Sequence, residues 1–181
     1  MHTELVATTA SWILIGVFLP AVVHKIKSWP RFLASMQAYK LLPVSLVKPA
    51  AMVLVGLEIS ALVLLAGGPF VGLASVGFIV AMLLLGVYFV AILVNVLRGR
   101  QFIDCGCGDD PTAIGWLVLL RNLMLVAVAS LGWFLVVDSA GIELTAYLLG
   151  ICLALIGWGL YQAAEQLLAN RTTHQRLWMG L

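Results

Sequence analysis

Residues 70–97 read FVGLASVGFIVAMLLLGVYFVAILVNVL, a stretch without a single aspartate, glutamate, lysine or arginine. The hydrocarbon core of a bilayer is crossed by a helix of roughly 20 consecutive apolar residues. Because backbone polar groups must be satisfied inside lipid, an apolar run of this length is expected to be a transmembrane helix. This stretch therefore indicates a helical membrane protein, and the rest of the chain contains further apolar runs of similar length.

The composition of the whole chain is typical of a membrane protein. Of its 181 residues, 63% are apolar and 10% are charged, and the mean hydropathy is +1.11, whereas soluble domains carry roughly 25% charged residues. Five apolar runs predict an all-α, polytopic transmembrane helix bundle that forms one domain over residues 1–181. The glycines and proline at 67–69 are expected to end the second run. The approximate runs are Leu5–Val23, Val44–Ala66, Phe70–Leu97, Thr112–Val137 and Leu144–Leu168.

The connection between the first two runs, from His24 to Pro43, mixes basic with aromatic residues. Its apolar spacing predicts an amphipathic helix at the membrane interface, and the alternative is an ordinary connecting loop. The residues that alternate with the basic ones include Trp29, Phe32, Met36 and Tyr39.

Apart from Arg121, the basic residues lie in or next to the first and third connections and in the C-terminal tail, and the second and fourth connections have none. By the positive-inside rule these segments face the cytoplasm and the N-terminus lies outside. The net charge of +2 is too small to indicate a nucleic-acid-binding protein. The basic residues concerned are Lys25, Lys27, Arg31, Lys40, Lys48, Arg98, Arg100, Arg171 and Arg176.

The third connection contains the sequence FIDCGCGDD (residues 102–110), in which one glycine separates Cys105 from Cys107. Two thiols can form a redox couple, bind a metal, or be inert small residues. A disulfide in so small a ring would be strained, and strained disulfides exchange readily, which favours the redox couple. A structural zinc site needs four ligands, and no second cysteine pair or nearby histidine is present, so no metal site is predicted. Inert cysteines are usually buried among apolar residues, unlike this pair.

Two charged residues lie well inside predicted spans, Glu58 near the middle of the second and Arg121 in the fourth, whereas Lys48 and Glu165 lie near the ends of theirs. A carboxylate in hydrocarbon needs a partner, a proton or a polar cavity. An ion pair between Glu58 and Arg121 is therefore predicted, with Asn122 or Asn95 nearby. Two interpretations stay open: a salt bridge that only locks two helices together, and a polar pocket that relays protons or stabilises a thiolate. The third cysteine, Cys152, is interpreted as a packing residue of the fifth span.

Several segments together resemble the methylamine utilisation protein MauE family, which is related to DoxX-like membrane proteins. The Cys-x-Cys step followed by an Arg-Asn pair is the most specific of them, and the similarity spans about residues 12–137. The family often has an aromatic residue after the second cysteine, where this chain has Gly108. The segments are HKIKSWPRF (24–32), YKLLP (39–43), GLEI (56–59), CGCG (105–108) and LLRNL (119–123).

The resemblance implies a role in maturing methylamine dehydrogenase, a periplasmic enzyme whose small subunit is rich in disulfides. By implication, Cys105 and Cys107 exchange electrons with a thioredoxin-like, MauD-type partner in the bacterial inner membrane. The polar pocket predicted from the residues, with Glu58, Arg121 and Asn122, would support these thiols. The protein would then be a membrane thiol–disulfide oxidoreductase, for which a quinone is a candidate electron acceptor. The alternatives are a non-catalytic assembly or export factor and a small transporter built around Glu58 and Arg121.

The charge pattern and the resemblance disagree about the side of the membrane that the thiols face. The dehydrogenase matures outside the cytoplasm, whereas the positive-inside rule places the third connection at the inner face. Three resolutions are open: the thiol segment folds back into the bundle and is reached from outside, the thiols pass electrons across the membrane, or the orientation is reversed. The first is the preferred one.

Overall fold

The computed structural model describes residues 2–100, 115–136 and 144–179. Every regular element within these ranges is an α-helix, which confirms the predicted all-α fold. Five of the helices, all except the second, contain a segment long and apolar enough to cross a membrane, as predicted. In chain order the helices are α1 (His2–Lys27), α2 (Trp29–Ala38), α3 (Val44–Val71), α4 (Ala74–Leu97), α5 (Trp116–Leu135) and α6 (Leu144–Met179).

The short helix α2 is the predicted interfacial helix after the first span. Pro30 lies in its first turn, where the missing N–H of proline removes no helical hydrogen bond. Phe32 and Ser35 are buried and Arg31 is exposed, so that one face of α2 packs against the bundle and the opposite face is exposed. The buried face contacts α1 and α3.

The helix α3 continues through residues 67–69, where the sequence predicted its end. A proline within a helix gives up one hydrogen bond and crowds the carbonyl four residues earlier. Pro69 lies within one turn of the helix end, and the helix continues past it to Val71. It ends at Gly72, whose φ of 71° is a left-handed conformation that glycine adopts without strain. The N–H of Leu73 then bonds the Gly68 carbonyl at 2.9 Å, and the chain reverses into α4.

Four helices form a ring in which each packs against two neighbours, in the order α1, α3, α4, α5, and α6 packs on the outside of α1. The indole N–H of Trp158 on α6 donates to the Gly16 carbonyl of α1 at 2.8 Å. Large apolar side chains cover much of the outer surface, as a lipid environment requires. The inward faces of the ring meet in one core of Ala10, Leu14, Phe18, Ala61, Leu65, Phe78, Ala81, Leu84, Leu85, Leu125 and Ala129.

A second cluster holds the short helix α2 against the bundle. Phe32 of α2 packs with Val22 near the end of α1, and with Ala51 and Val55 of α3. The C-terminus of α1, the helix α2 and the N-terminal half of α3 therefore share one end of the molecule. We call it the basic end.

A third cluster adds two more helix termini to the basic end. Ile92 and Val96 in the last turns of α4 pack with Val118 and Leu119 in the first turn of α5, and Tyr39, just after α2, lies beside them. Arg100 and Gly115 follow and precede these segments directly in the chain. The residues that flank the third connection thus lie at the basic end.

Candidate functional site

A buried ion pair between Lys25 of α1 and Glu58 of α3 joins two helices inside the bundle. The Lys25 ammonium donates to Glu58 Oε1, and the exposed fraction is 2% for Lys25 and 0% for Glu58. The Tyr88 hydroxyl of α4 donates to the same oxygen at 2.7 Å and accepts from Lys25 Nζ at 3.3 Å. One carboxylate oxygen thereby connects α1, α3 and α4.

Two aromatic rings complete the surroundings of the Lys25 ammonium. Its Nζ lies 5.3 Å from the ring centroid of Phe32 and 4.9 Å from that of Tyr88. The face of an aromatic ring attracts a cation within about 6 Å through its quadrupole. We call the group formed by Glu58, Tyr88 and Phe32 the ammonium cage, because all three surround the same nitrogen.

The packing faces of the helices explain why both charges are buried. Lys25 and Glu58 continue stripes of buried residues that recur every three or four positions, as one face of a helix does. A helical side chain also points back toward the N-terminus of its own helix, which directs Lys25 from the last turn of α1 into the bundle. The stripes contain Leu14, Phe18, Val22 and Lys25 on α1, and Ala51, Val55, Glu58, Ala61 and Leu65 on α3.

The cage retains hydrogen-bonding capacity that the described residues do not use. Glu58 Oε2 is buried and accepts no hydrogen bond within the described ranges, and the same holds for Oδ1 of Asn95. Roughly 90% or more of buried polar groups in proteins have a partner, so two such acceptors are notable. Asn95 lies seven residues after Tyr88 on α4, which is about two helical turns further toward the basic end.

The partner of Glu58 is Lys25, which corrects the predicted ion pair with Arg121. In the ring of helices α3 is adjacent to α1, whereas α5, which carries Arg121, lies diagonally across from it. Arg121 is half-buried, and Asn122 donates through Nδ2 to the Leu85 carbonyl of α4 at 3.4 Å, within the α4–α5 interface. A role for these side chains in supporting the thiols stays a prediction.

Sequence reasoning missed Lys25 and Tyr88 as members of this site. Lys25 was counted with the basic residues of the membrane surface, although its spacing from Phe18 and Val22 places it on the buried stripe of α1. Tyr88 lies in an uncharged run, where one hydroxyl on the inner face gives little signal beside so many apolar residues. The signal that could have found both is the periodicity of small and apolar residues around them.

The predicted catalytic residues Cys105 and Cys107 lie outside the described residues, and their redox role stays a prediction. The third cysteine, Cys152, is exposed on α6. Its interpretation as a packing residue was wrong, because α6 packs on α1 through the face that contains Gly150 and Ala154, and Cys152 points away from that face.

Comparisons with known proteins identify one family. The sequence model described as methylamine utilisation protein MauE matches residues 3–135. The methylamine utilization protein MauE of Methylophilus methylotrophus is 31% identical over 175 residues, which cover 95% of this chain and 90% of the relative. The protein of the same name from Paracoccus denitrificans is 35% identical over 115 residues, 62% of this chain and 60% of the relative. That from Methylorubrum extorquens is 32% identical over 138 residues, 75% and 73% respectively. No solved structure matches the chain.

Proposed function

Because the chain belongs to the MauE family of methylamine utilisation proteins, we propose that it serves the maturation of methylamine dehydrogenase by thiol–disulfide exchange at Cys105 and Cys107. The partner in this exchange is a thioredoxin-like protein of the MauD type, and the disulfide-rich small subunit of the dehydrogenase is the final substrate. The observation that carries the proposal is a Cys-Gly-Cys step within a multi-pass membrane protein of this family.

The exchange needs an accessible thiolate and a disulfide on the partner. One thiolate of the pair attacks a sulfur of the partner's disulfide, whose S–S bond breaks and whose other sulfur leaves as a thiolate. The second thiolate of the pair then displaces the partner and closes the Cys105–Cys107 disulfide. Two electrons pass to the partner, and the two protons lost by the pair are taken up by the partner's thiols. The reverse sequence oxidises the partner with the same residues.

The position of the flanking residues supports access to the pair from water. Arg100 and Gly115 adjoin the cluster that packs the end of α4 against the start of α5. Arg98, next to this cluster, is exposed, as is Arg31 on α2. A short segment attached at both ends to this surface begins and ends close to the aqueous interface.

Serine substitutions test the proposal directly. Cys105→Ser and Cys107→Ser, singly and together, are expected to abolish dehydrogenase activity in cells that depend on the pathway, at unchanged levels of the membrane protein. Cys152→Ser is the matched control, because Cys152 is exposed on the outside of α6 and should leave maturation intact. Normal maturation with both serines present would rule out exchange and favour the non-catalytic assembly or export function.

Trapping and labelling define the partner and the side of the membrane. A MauD-type partner that lacks its second cysteine is expected to accumulate as a mixed disulfide with Cys105 or Cys107. In a Cys152→Ser background, a membrane-impermeant maleimide is applied to intact and to opened cells, with and without reductant. The pair should react after reduction when it is resident as a disulfide, and the compartment in which it reacts gives its orientation. We propose the bacterial inner membrane as the location.

A further inference from the structure

We propose that the ammonium cage is a binding site for small primary alkylammonium ions and that the Lys25 side chain is its exchangeable occupant. The inference goes beyond the proposed function and needs neither cysteine. It rests on the surroundings of Lys25 Nζ, on the Glu58 oxygen that accepts no hydrogen bond from the part of the chain that the structure describes, and on the place of Lys25 in the last turn of α1.

The composition of the cage is that of a site for an organic cation. A carboxylate supplies the opposite charge, the Tyr88 hydroxyl lies 3.3 Å from the nitrogen, and the rings of Phe32 and Tyr88 lie 5.3 and 4.9 Å from it. Aromatic faces combined with an anion are a recurrent means of binding ammonium groups. The end of the lysine side chain is itself a methylene ammonium, so the group already held in the cage has the size and chemistry of methylammonium.

The Glu58 carboxylate has a second oxygen to which the lysine does not donate. Lys25 and Tyr88 both donate to Oε1, while Oε2 of the fully buried Glu58 accepts nothing from the described residues. The lysine nitrogen is held at the end of a tether fixed to α1 and stays on the Oε1 side. A free primary ammonium carries three N–H donors and no tether, so it can donate to both oxygens at once.

Exchange of the Lys25 ammonium for a free ammonium leaves the net charge beside Glu58 unchanged. Lys25 lies two residues before the end of α1, and the neighbouring Ile26 and Lys27 are exposed. A lysine stem near a helix end reaches the aqueous interface readily while its methylenes stay among apolar groups. Exchange of the Lys25 ammonium for a free ammonium replaces one monovalent cation by another beside Glu58, which avoids leaving a buried carboxylate uncompensated.

The test measures binding by thermal unfolding of the purified full-length protein in detergent. Methylammonium chloride is titrated against sodium chloride and tetramethylammonium chloride at equal ionic strength, because tetramethylammonium has no N–H donor. In Lys25→Met, methylammonium should raise the unfolding temperature saturably, and the other two salts should not. The wild type should respond with the same sign at concentrations about tenfold or more higher, since the tethered lysine competes at an effective concentration in the millimolar range.

Control variants keep the result interpretable. Glu58→Gln should respond to methylammonium no more than to sodium, whereas the Cys105→Ser/Cys107→Ser variant should respond as the wild type does, so failure of the thiol proposal leaves this one standing. Lys25→Gln replaces Lys25→Met if the latter does not fold. Equal responses of the Lys25 variant to methylammonium and sodium would overturn the site, and a wild type that never responds would overturn the exchange.

Discussion

Replacing Lys25 with methionine removes the cation from the buried ion pair and leaves the Glu58 carboxylate behind. Methionine keeps most of the apolar stem of the lysine, so the volume beside the Phe32 ring stays largely filled. What is lost is the charge and its hydrogen bond to Oε1, in surroundings where both residues are at most 2% exposed.

The expected loss in the free energy of unfolding is about 3–5 kcal/mol, the range for removing one partner of a buried ion pair. The Tyr88 hydroxyl still donates to Oε1 at 2.7 Å, but a neutral donor does not compensate the carboxylate charge. Replacing both residues by methionine should recover part of that loss, because no buried charge is then left uncompensated and the Tyr88 hydroxyl loses only one hydrogen bond.

Reversible unfolding in mixed detergent micelles, followed by circular dichroism, measures both variants against the wild type. Lys27→Met is the matched control, since Lys27 lies two residues further along α1 and is exposed. It should change the free energy of unfolding by less than about 0.5 kcal/mol. If Lys25→Met costs no more than Lys27→Met, the pair does not exist as described, and the ammonium cage loses its basis.

Two further substitutions test the same structure at other points. Tyr88→Phe keeps the ring beside Lys25 but removes a donor to a charged oxygen, and should lower the free energy of unfolding by about 1.5–3 kcal/mol in the same assay. Gly68→Ala would place its Cβ 2.9 Å from the backbone of Ala74 in the tight α3–α4 connection, and should cost about 1–3 kcal/mol. Gly67→Ala, with nothing within 4 Å of its Cβ, is the control and should be neutral or stabilising; equal losses at the two glycines would contradict the close approach.

The number and type of the spans could be predicted because lipid leaves few options. A run such as residues 74–97 can satisfy its backbone within its own segment only as a helix, so length and composition decide the element. The end of α3 was less predictable, since Pro69 was read as a break although the helix continues for two residues beyond it. Gly72, three residues later, supplies the left-handed conformation that reverses the chain.

The pairing of the charges could not be predicted from span positions, because those give depth and not angular position around the ring. Glu58 and Arg121 were matched by their depth, yet α3 and α5 are diagonal in the bundle. Lys25 was assigned to the surface by its place near a helix end, although the buried stripe of α1 runs through it. The depth of a residue in the membrane and the helix face on which it lies must be considered together. The face can be read from the sequence as a stripe of buried residues at helical spacing.

The burial of Lys25 also bears on the side of the membrane to which the cysteine pair belongs. A lysine neutralised inside the bundle contributes nothing to the charge that orients the protein, so the positive-inside argument must rest on the others. Lys27, Arg31, Lys40 and Arg98 are exposed at the basic end and still give it a clear excess of positive charge. Because Arg100 and Gly115 adjoin the same end, we expect the labelling experiment to show reaction from the cytoplasmic compartment. That result would favour transfer of electrons across the membrane over the fold-back preferred from the sequence. Reaction exclusively from the outside would require either that the reagent reaches the pair through the ring of helices or that the bundle is inverted. Variants in which the exposed basic residues are moved to the opposite connections would distinguish these two explanations.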